Sequence, residues 1–143
     1  MMEIPKSLLV EMERAARQAA DRSYCPYSKF SVGAAVLTDT GEIFSGCNVE
    51  NASFGLTNCA ERTAIFQAVA KGCTEIVAVV VYTPTTKAIL PCGACRQVIN
   101  EFGPKAKVVS ICDTDHRIET TLSFLLPEAF NPYNLNEIFN RNG

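Results

Sequence analysis

Three cysteines constrain this chain more than any other feature. Cys59 opens the stretch Cys59-Ala60-Glu61-Arg62, and Cys92 and Cys95 sit in Pro91-Cys92-Gly93-Ala94-Cys95. Cysteines three apart in the first turn of a helix put their sulfurs on one face. Cys59 adds a third thiolate from another element, so the three can hold one zinc ion and leave a fourth coordination position open. That donor set describes a catalytic zinc, because structural sites are closed by four protein ligands. Glu61, two residues past Cys59, is a carboxylate with no evident packing task. It is placed to move the proton of a water that the zinc activates. Two other readings stay open on spacing alone. The pair could be half of a structural site completed by Cys47, Cys73 or Cys112, and Glu61 could close a capping box begun at Asn58.

The rest of the chain shows where these residues sit. Pro5 to Ala20 places Leu8, Met12, Ala15, Ala16 and Ala19 at helical spacing. Pro26 then breaks the chain into an aromatic-rich loop, Tyr24 to Phe30. Ser31–Leu37 reads as a buried strand, and Asp39-Thr40-Gly41 as the turn of a hairpin returning over Glu42–Asn48. Thr57 and Asn58 are caps for a helix over Cys59–Lys71, ended by Gly72. Ile76–Tyr82 reads as a central strand, Pro91 opens a helix over Cys92–Phe102, and Gly103-Pro104 stops it. Val108–Cys112 and Ile118–Thr121 are strands around the turn Asp113–Arg117, and Leu122–Leu126 is a helical turn. The Asn-rich tail after Phe130 is left unassigned. Alternation of strands and helices predicts an α/β fold, and the absence of repeats or linkers predicts one domain over 1–143.

Both cysteine-bearing helices offer their N-termini to sulfur, where free N–H groups and the dipole stabilise thiolate. Arg62, otherwise a surface charge, is three residues from Cys59 and can donate to its sulfur. His116 falls in a polar turn with Asp113 and Asp115 and is expected to be exposed. The chain carries 13 Lys and Arg against 15 Asp and Glu, a net charge of −2. That balance opposes a nucleic-acid partner, since phosphate backbones reward a basic surface. The seven cysteines are an odd number and no apolar leader precedes them. The expectation is a reducing, cytoplasmic setting with thiols as ligands or core residues. No apolar run is long enough to span a membrane.

Five blocks together resemble the small, homotetrameric, zinc-dependent cytidine deaminase family. They are Cys25-Pro26-Tyr27-Ser28-Lys29-Phe30 before Val32-Gly33-Ala34-Ala35, Gly46-Cys47-Asn48-Val49-Glu50-Asn51-Ala52, Cys59-Ala60-Glu61-Arg62-Thr63-Ala64, Pro91-Cys92-Gly93-Ala94-Cys95-Arg96-Gln97 and Leu125-Leu126-Pro127-Glu128-Ala129-Phe130. They run in order over roughly Leu8 to Phe130. The resemblance implies a three-layer α/β/α sandwich on a five-stranded mixed sheet. It implies one Zn2+ per subunit on Cys59, Cys92 and Cys95, with Glu61 as the proton shuttle. Water would attack C4 of the cytosine of free cytidine or deoxycytidine, with release of ammonia. It also implies that Asn48 and Glu50 hold the ribose 3′-hydroxyl, Phe30 packs on the base, and Ala60 reads its polar edge. Phe130 would enter a neighbouring subunit's site, and Arg62 would bond the zinc-bound sulfurs. Another cytosine-bearing small molecule, such as a nucleoside antibiotic, is the alternative substrate, and a structural zinc module the non-enzymatic alternative. The chain departs from the family pattern at Phe54, where tyrosine is usual, at Glu128, where glycine is usual, and at Leu90, where serine is common.

Overall fold

A computed structural model describes residues 3–140 of the chain. Helix α1 spans Lys6–Ala20, followed by strands β1 (Gly33–Thr38) and β2 (Ile43–Cys47). A short 3-10 turn at Phe54–Leu56 leads to α2 (Ala60–Ala70), β3 (Ile76–Tyr82) and α3 (Gly93–Phe102). Strands β4 (Lys107–Ile111) and β5 (Ile118–Thr121), the turn α4 (Leu122–Leu125) and helix α5 (Pro132–Phe139) complete the chain. The sheet runs β2-β1-β3-β4-β5. β1 pairs antiparallel with β2 and β3, β3 runs parallel to β4, and β5 returns antiparallel on β4. The sheet is mixed: α3 carries the chain from β3 to its parallel neighbour β4, as a parallel pair requires, and α2 carries it from β2 across β1 to β3.

Alternation along the strands builds two cores. Ala34, Val36, Val79, Val81 and Val108 face α2 and α3, where they meet Ala64, Ile65, Ala68 and Ile99. Ala35, Leu37, Ala78, Val80 and Val109 face the other way, onto Met12 and Ala16 of α1. Helices on both faces of one sheet make the expected three layers, and the near-continuous apolar runs of β1 and β3 follow from burial on both sides. Small residues set the layer spacing. A Cβ on Gly46 would lie 2.4 Å from the Ala64 nitrogen, so α2 rests directly on the backbone of β2. Gly33 is closer still to α1, its would-be Cβ 1.8 Å from the Ala16 carbonyl oxygen.

Several expected boundaries move by one residue. The helices begin at Ala60 and Gly93, with Cys59 and Cys92 as extended N-cap residues. Thr57 and Asn58 therefore do not cap α2, and the Asn58 amide instead donates to the Thr63 hydroxyl at 3.1 Å. The unassigned tail forms α5, started by Asn131, whose side chain accepts from the Tyr133 and Asn134 backbone N–H groups, and by Pro132 in the first turn. Glu128, at the family's glycine position, has φ +55°. A residue with a Cβ is disfavoured in that left-handed region by about 1–2 kcal/mol, which accounts for glycine being the usual occupant.

Candidate active site

The ends of two helices meet where the sheet opens. α2 follows β2 and α3 follows β3, and their first residues converge beside Val81 and Thr83 at the C-terminal end of β3. Ligand sites in open α/β sheets form in such crevices. Neither helix start has a side-chain cap. First-turn N–H groups are thus left for acceptors other than a capping side chain.

Cys59, Cys92 and Cys95 bring their sulfurs within 4.8 Å of one another, the one such group of potential ligands among the described residues. The Cys59 and Cys92 sulfurs are 3.9 Å apart. Tetrahedral zinc–thiolate bonds of ~2.3 Å set sulfur–sulfur edges of about 3.8 Å, so the donors already stand at zinc spacing. Cys47, Cys73 and Cys112 do not join them. Their thiols lie against the Arg22 carbonyl, the Glu42 carboxylate and the His116 carbonyl. The four-sulfur structural site is therefore not formed.

The charges around the sulfurs suit metal loading. Arg62 Nη2 donates to Cys59 Sγ at 3.3 Å, and its Nε is a buried donor without a partner. The surface-charge reading of Arg62 gives way to a cation turned onto thiolate. Before a metal binds, a hydrogen bond from the Cys95 thiol, helped by Arg62, lowers the Cys59 pKa to about 5. The same bond to anionic Cys59, together with burial, pushes Cys95 upward so that it keeps its proton. Zinc uptake at pH 7 is therefore expected to release at least one proton per chain, that of Cys95. Calorimetry in buffers of different ionisation enthalpy reads this, and binding heats independent of buffer would contradict it.

Glu61 is only 4% exposed. Burial raises its pKa, and the Cys59 charge raises it further. Cys59 rather than Asn58 is the N-cap of α2 and makes no side-chain cap bond, so the capping-box alternative fails. A carboxyl poised above its ordinary range, on a pocket wall beside three sulfurs, suits proton transfer in both directions.

An open pocket of about 360 Å3 lies over this centre. That falls within the ~300–1,000 Å3 of small-molecule sites. Phe30, Asn48, Glu50, Ala60, Glu61 and Cys92 all line it. Asn48 is 8% exposed, far from a solvated strand end. Its Nδ2 donates to the Phe30 carbonyl at 2.7 Å, and its Oδ1 accepts from the Val32 N–H at 2.9 Å and from the Ser23 hydroxyl. Glu50 accepts from the backbone N–H groups of Tyr27 and Ser28 at 3.0 and 3.1 Å and from the Ser28 hydroxyl. The Ser28 hydroxyl bond leads in holding its pKa below the usual carboxylate range. Both side chains are thus fixed in advance, each with one hydrogen-bonding position to spare.

Phe130 is not among the walls. Its carbonyl accepts from Gln97 and Asn100 while the residue stays 54% exposed. Phe54 is also exposed and stacks edge-on against Tyr27, with centroids 5.9 Å apart. Leu90 lines the pocket together with Thr57, read from the sequence only as a cap, and with Thr83 and Ile89, which no sequence pattern singled out. A larger groove of about 790 Å3 runs between the start of α1 and β5. Its charged residues include Lys107, already paired with Glu119 at 3.1 Å, and it holds no nucleophile or metal-ligand cluster.

Fold and site together define a zinc-binding enzyme built on a three-layer α/β/α sheet, with a buried carboxyl beside three sulfurs that could hold the metal. A model of the cytidine and deoxycytidylate deaminase zinc-binding region matches residues 7–111. Cytidine deaminase from Halalkalibacterium halodurans is 46% identical over 87% of this chain and 95% of its own length. The Sporosarcina psychrophila cytidine deaminase is also 46% identical, over 94% of this chain and 96% of its own. Among solved structures, cytidine deaminase from Burkholderia pseudomallei superposes with a TM-score of 0.81 at 48% identity, covering 85% of this chain and 98% of that one. The chain belongs to the cytidine and deoxycytidylate deaminase family.

Proposed function

We propose that this chain hydrolyses the 4-amino group of free cytidine and deoxycytidine, giving uridine or deoxyuridine and ammonia, as a step of pyrimidine salvage. One observation carries the reading. A single pocket joins the three-sulfur centre and Glu61 at one end to Phe30, Asn48 and Glu50 at the other. An aromatic wall and a paired amide and carboxylate are what a base and its sugar need, and neither serves a structural metal.

Bound zinc, held by Cys59, Cys92 and Cys95, supplies the Lewis acidity that makes a water nucleophilic near neutral pH. Glu61 takes a proton from that water as it adds to C4 and gives one to N3 of the ring. It then passes a proton to the departing amino group, so that ammonia leaves and the carbonyl of uridine forms. The free N–H groups at the start of α2, around Ala60, face the polar edge of the pyrimidine. Phe30 covers the base. The spare positions of Asn48 and Glu50 take the 3′-hydroxyl, and the Ser28 and backbone bonds to Glu50 keep it an acceptor. Arg62 offsets the negative charge of the thiolates. A panel of cytidine, deoxycytidine, free cytosine, cytidine monophosphate and a cytosine oligonucleotide tests the sugar grip. The two nucleosides should dominate. Preference for the oligonucleotide or the free base would overturn it.

The reading extends to a cytoplasmic homotetramer with shared sites, each chain forming one catalytic domain. The exposed ring of Phe130, away from its own pocket, supports a role in a neighbour's site. Phe130→Ala is expected to raise KM about tenfold, by loss of one aromatic contact. Chains carrying Glu61→Gln and chains carrying Phe130→Ala, refolded together, should recover sites with the parent's low KM and full kcat, which neither variant has alone. Kinetics and size-exclusion on the mixture read this, and no recovery in a mixed tetramer would exclude shared sites.

A further inference from the structure

The loop between β3 and α3, residues 83–91, supplies the pocket walls Thr83, Ile89 and Leu90 and delivers Cys92 to the metal centre. It has little regular structure of its own. Three bonds fasten it to the turn between β4 and β5. The Asp113 N–H donates to the Thr85 carbonyl at 2.9 Å, and the Thr114 hydroxyl donates to the Thr86 carbonyl at 2.6 Å. The third differs in kind. The backbone N–H of buried Ala88 donates to Nδ1 of His116 at 2.8 Å. His116 is held for this task, its own N–H bonded to the Thr114 hydroxyl and its carbonyl accepting from Cys112 Sγ.

We propose that His116 is a positioning residue for the substrate pocket, its neutral Nδ1 holding the 83–91 loop in place through the Ala88 N–H. Nδ1 accepts only when the ring proton is on Nε2, and an imidazolium carries N–H on both nitrogens. Protonation would set two donors against each other 2.8 Å apart. The charged groups of the surrounding elements are Asp113, Asp115 and Arg117 on the turn, Lys87 on the loop, and Glu13 and Arg17 on α1. Asp113 is engaged by the Tyr82 hydroxyl, Arg117 by Glu13 and Glu119, and Arg17 by the Cys112 carbonyl and the Tyr82 ring. None of the six is hydrogen-bonded to the imidazole among the described residues. Because Cys92 opens α3 beyond the loop, slack in the clasp falls first on the pocket walls between them.

The inference rests on the deaminase reading, and two variants with two readouts separate the failure of one from the failure of the other. His116→Asn keeps an acceptor oxygen near the Nδ1 position without a titrating ring, while His116→Ala removes the acceptor. At pH 7.5 the alanine variant should raise KM for cytidine about three- to tenfold with kcat nearly unchanged, and the asparagine variant should stay near the parent. Amide exchange across 83–90, Ala88 above all, should speed up in His116→Ala but not in His116→Asn. Equal KM and equal exchange in all three proteins would overturn the proposal. So would a matching loss in both variants, which would mark His116 as a purely structural residue. A parent inert towards cytidine would sink the deaminase reading, while the exchange pattern would still decide the clasp.

Discussion

Glu61→Gln is expected to bind one zinc per chain and fold as the parent does, yet lose about three to four orders of magnitude in kcat, the upper part of what general acid–base catalysis contributes. Glutamine matches the shape of the side chain but can neither take a proton from water nor return one. The loss should be large because one carboxyl serves every proton transfer of the reaction, and because Glu61 is buried with no second carboxylate on the pocket wall near the sulfurs to replace it. Glu50, the other acid of the pocket, is committed to Tyr27 and Ser28. Metal analysis, circular dichroism and steady-state kinetics on one preparation check the expectation. A loss below tenfold would reduce Glu61 to a wall residue. In the parent, burial raises the Glu61 pKa, so the acid limb of kcat/KM should stand above the ordinary carboxylate range, with activity falling as protonation removes the base.

Cys95→Ala should abolish both stoichiometric zinc and turnover. Cys95 is fully buried behind the other two sulfurs, and its loss leaves two thiolates that solvent and other metals can contest. Binding to the folded chain alone stabilises it by mass action. The variant's Tm with added zinc should therefore match that of the parent stripped by a chelator, several degrees below the loaded parent. Serine at this position should behave alike, since a hydroxyl does not ionise to a ligand at neutral pH. Zinc retained at one per chain in either variant would move the metal site elsewhere.

The three-sulfur cluster was the most legible part of this sequence. Sulfurs placed by helix starts are read from short spacings, and Cys92 and Cys95 are close neighbours whatever the fold does. Strands were equally plain where both faces are buried, as in Ile76–Tyr82, whose limits the structure reproduces. Helix caps were less so. Thr57 and Asn58 have the right chemistry, but the chain gives the cap position to Cys59 and Cys92 because their sulfurs must turn into the site. α5 was missed because its sequence is polar and Asn-rich, although Asn131-Pro132 carries a start signal. The clasp of His116 on Ala88 joins residues 28 apart in sequence, and no local pattern reports such a contact. Arg62 shows the reverse case, a residue bland by pattern that the sulfur beside it makes specific.

The central claim is hydrolysis at C4 by water activated beside Glu61, and it is tested most directly in 18O-labelled water. Zinc-loaded parent protein given cytidine should form uridine carrying one 18O at position 4, with one ammonia released for each uridine. No uridine from a chain holding one zinc, or uridine whose new oxygen does not come from the labelled solvent, would contradict it.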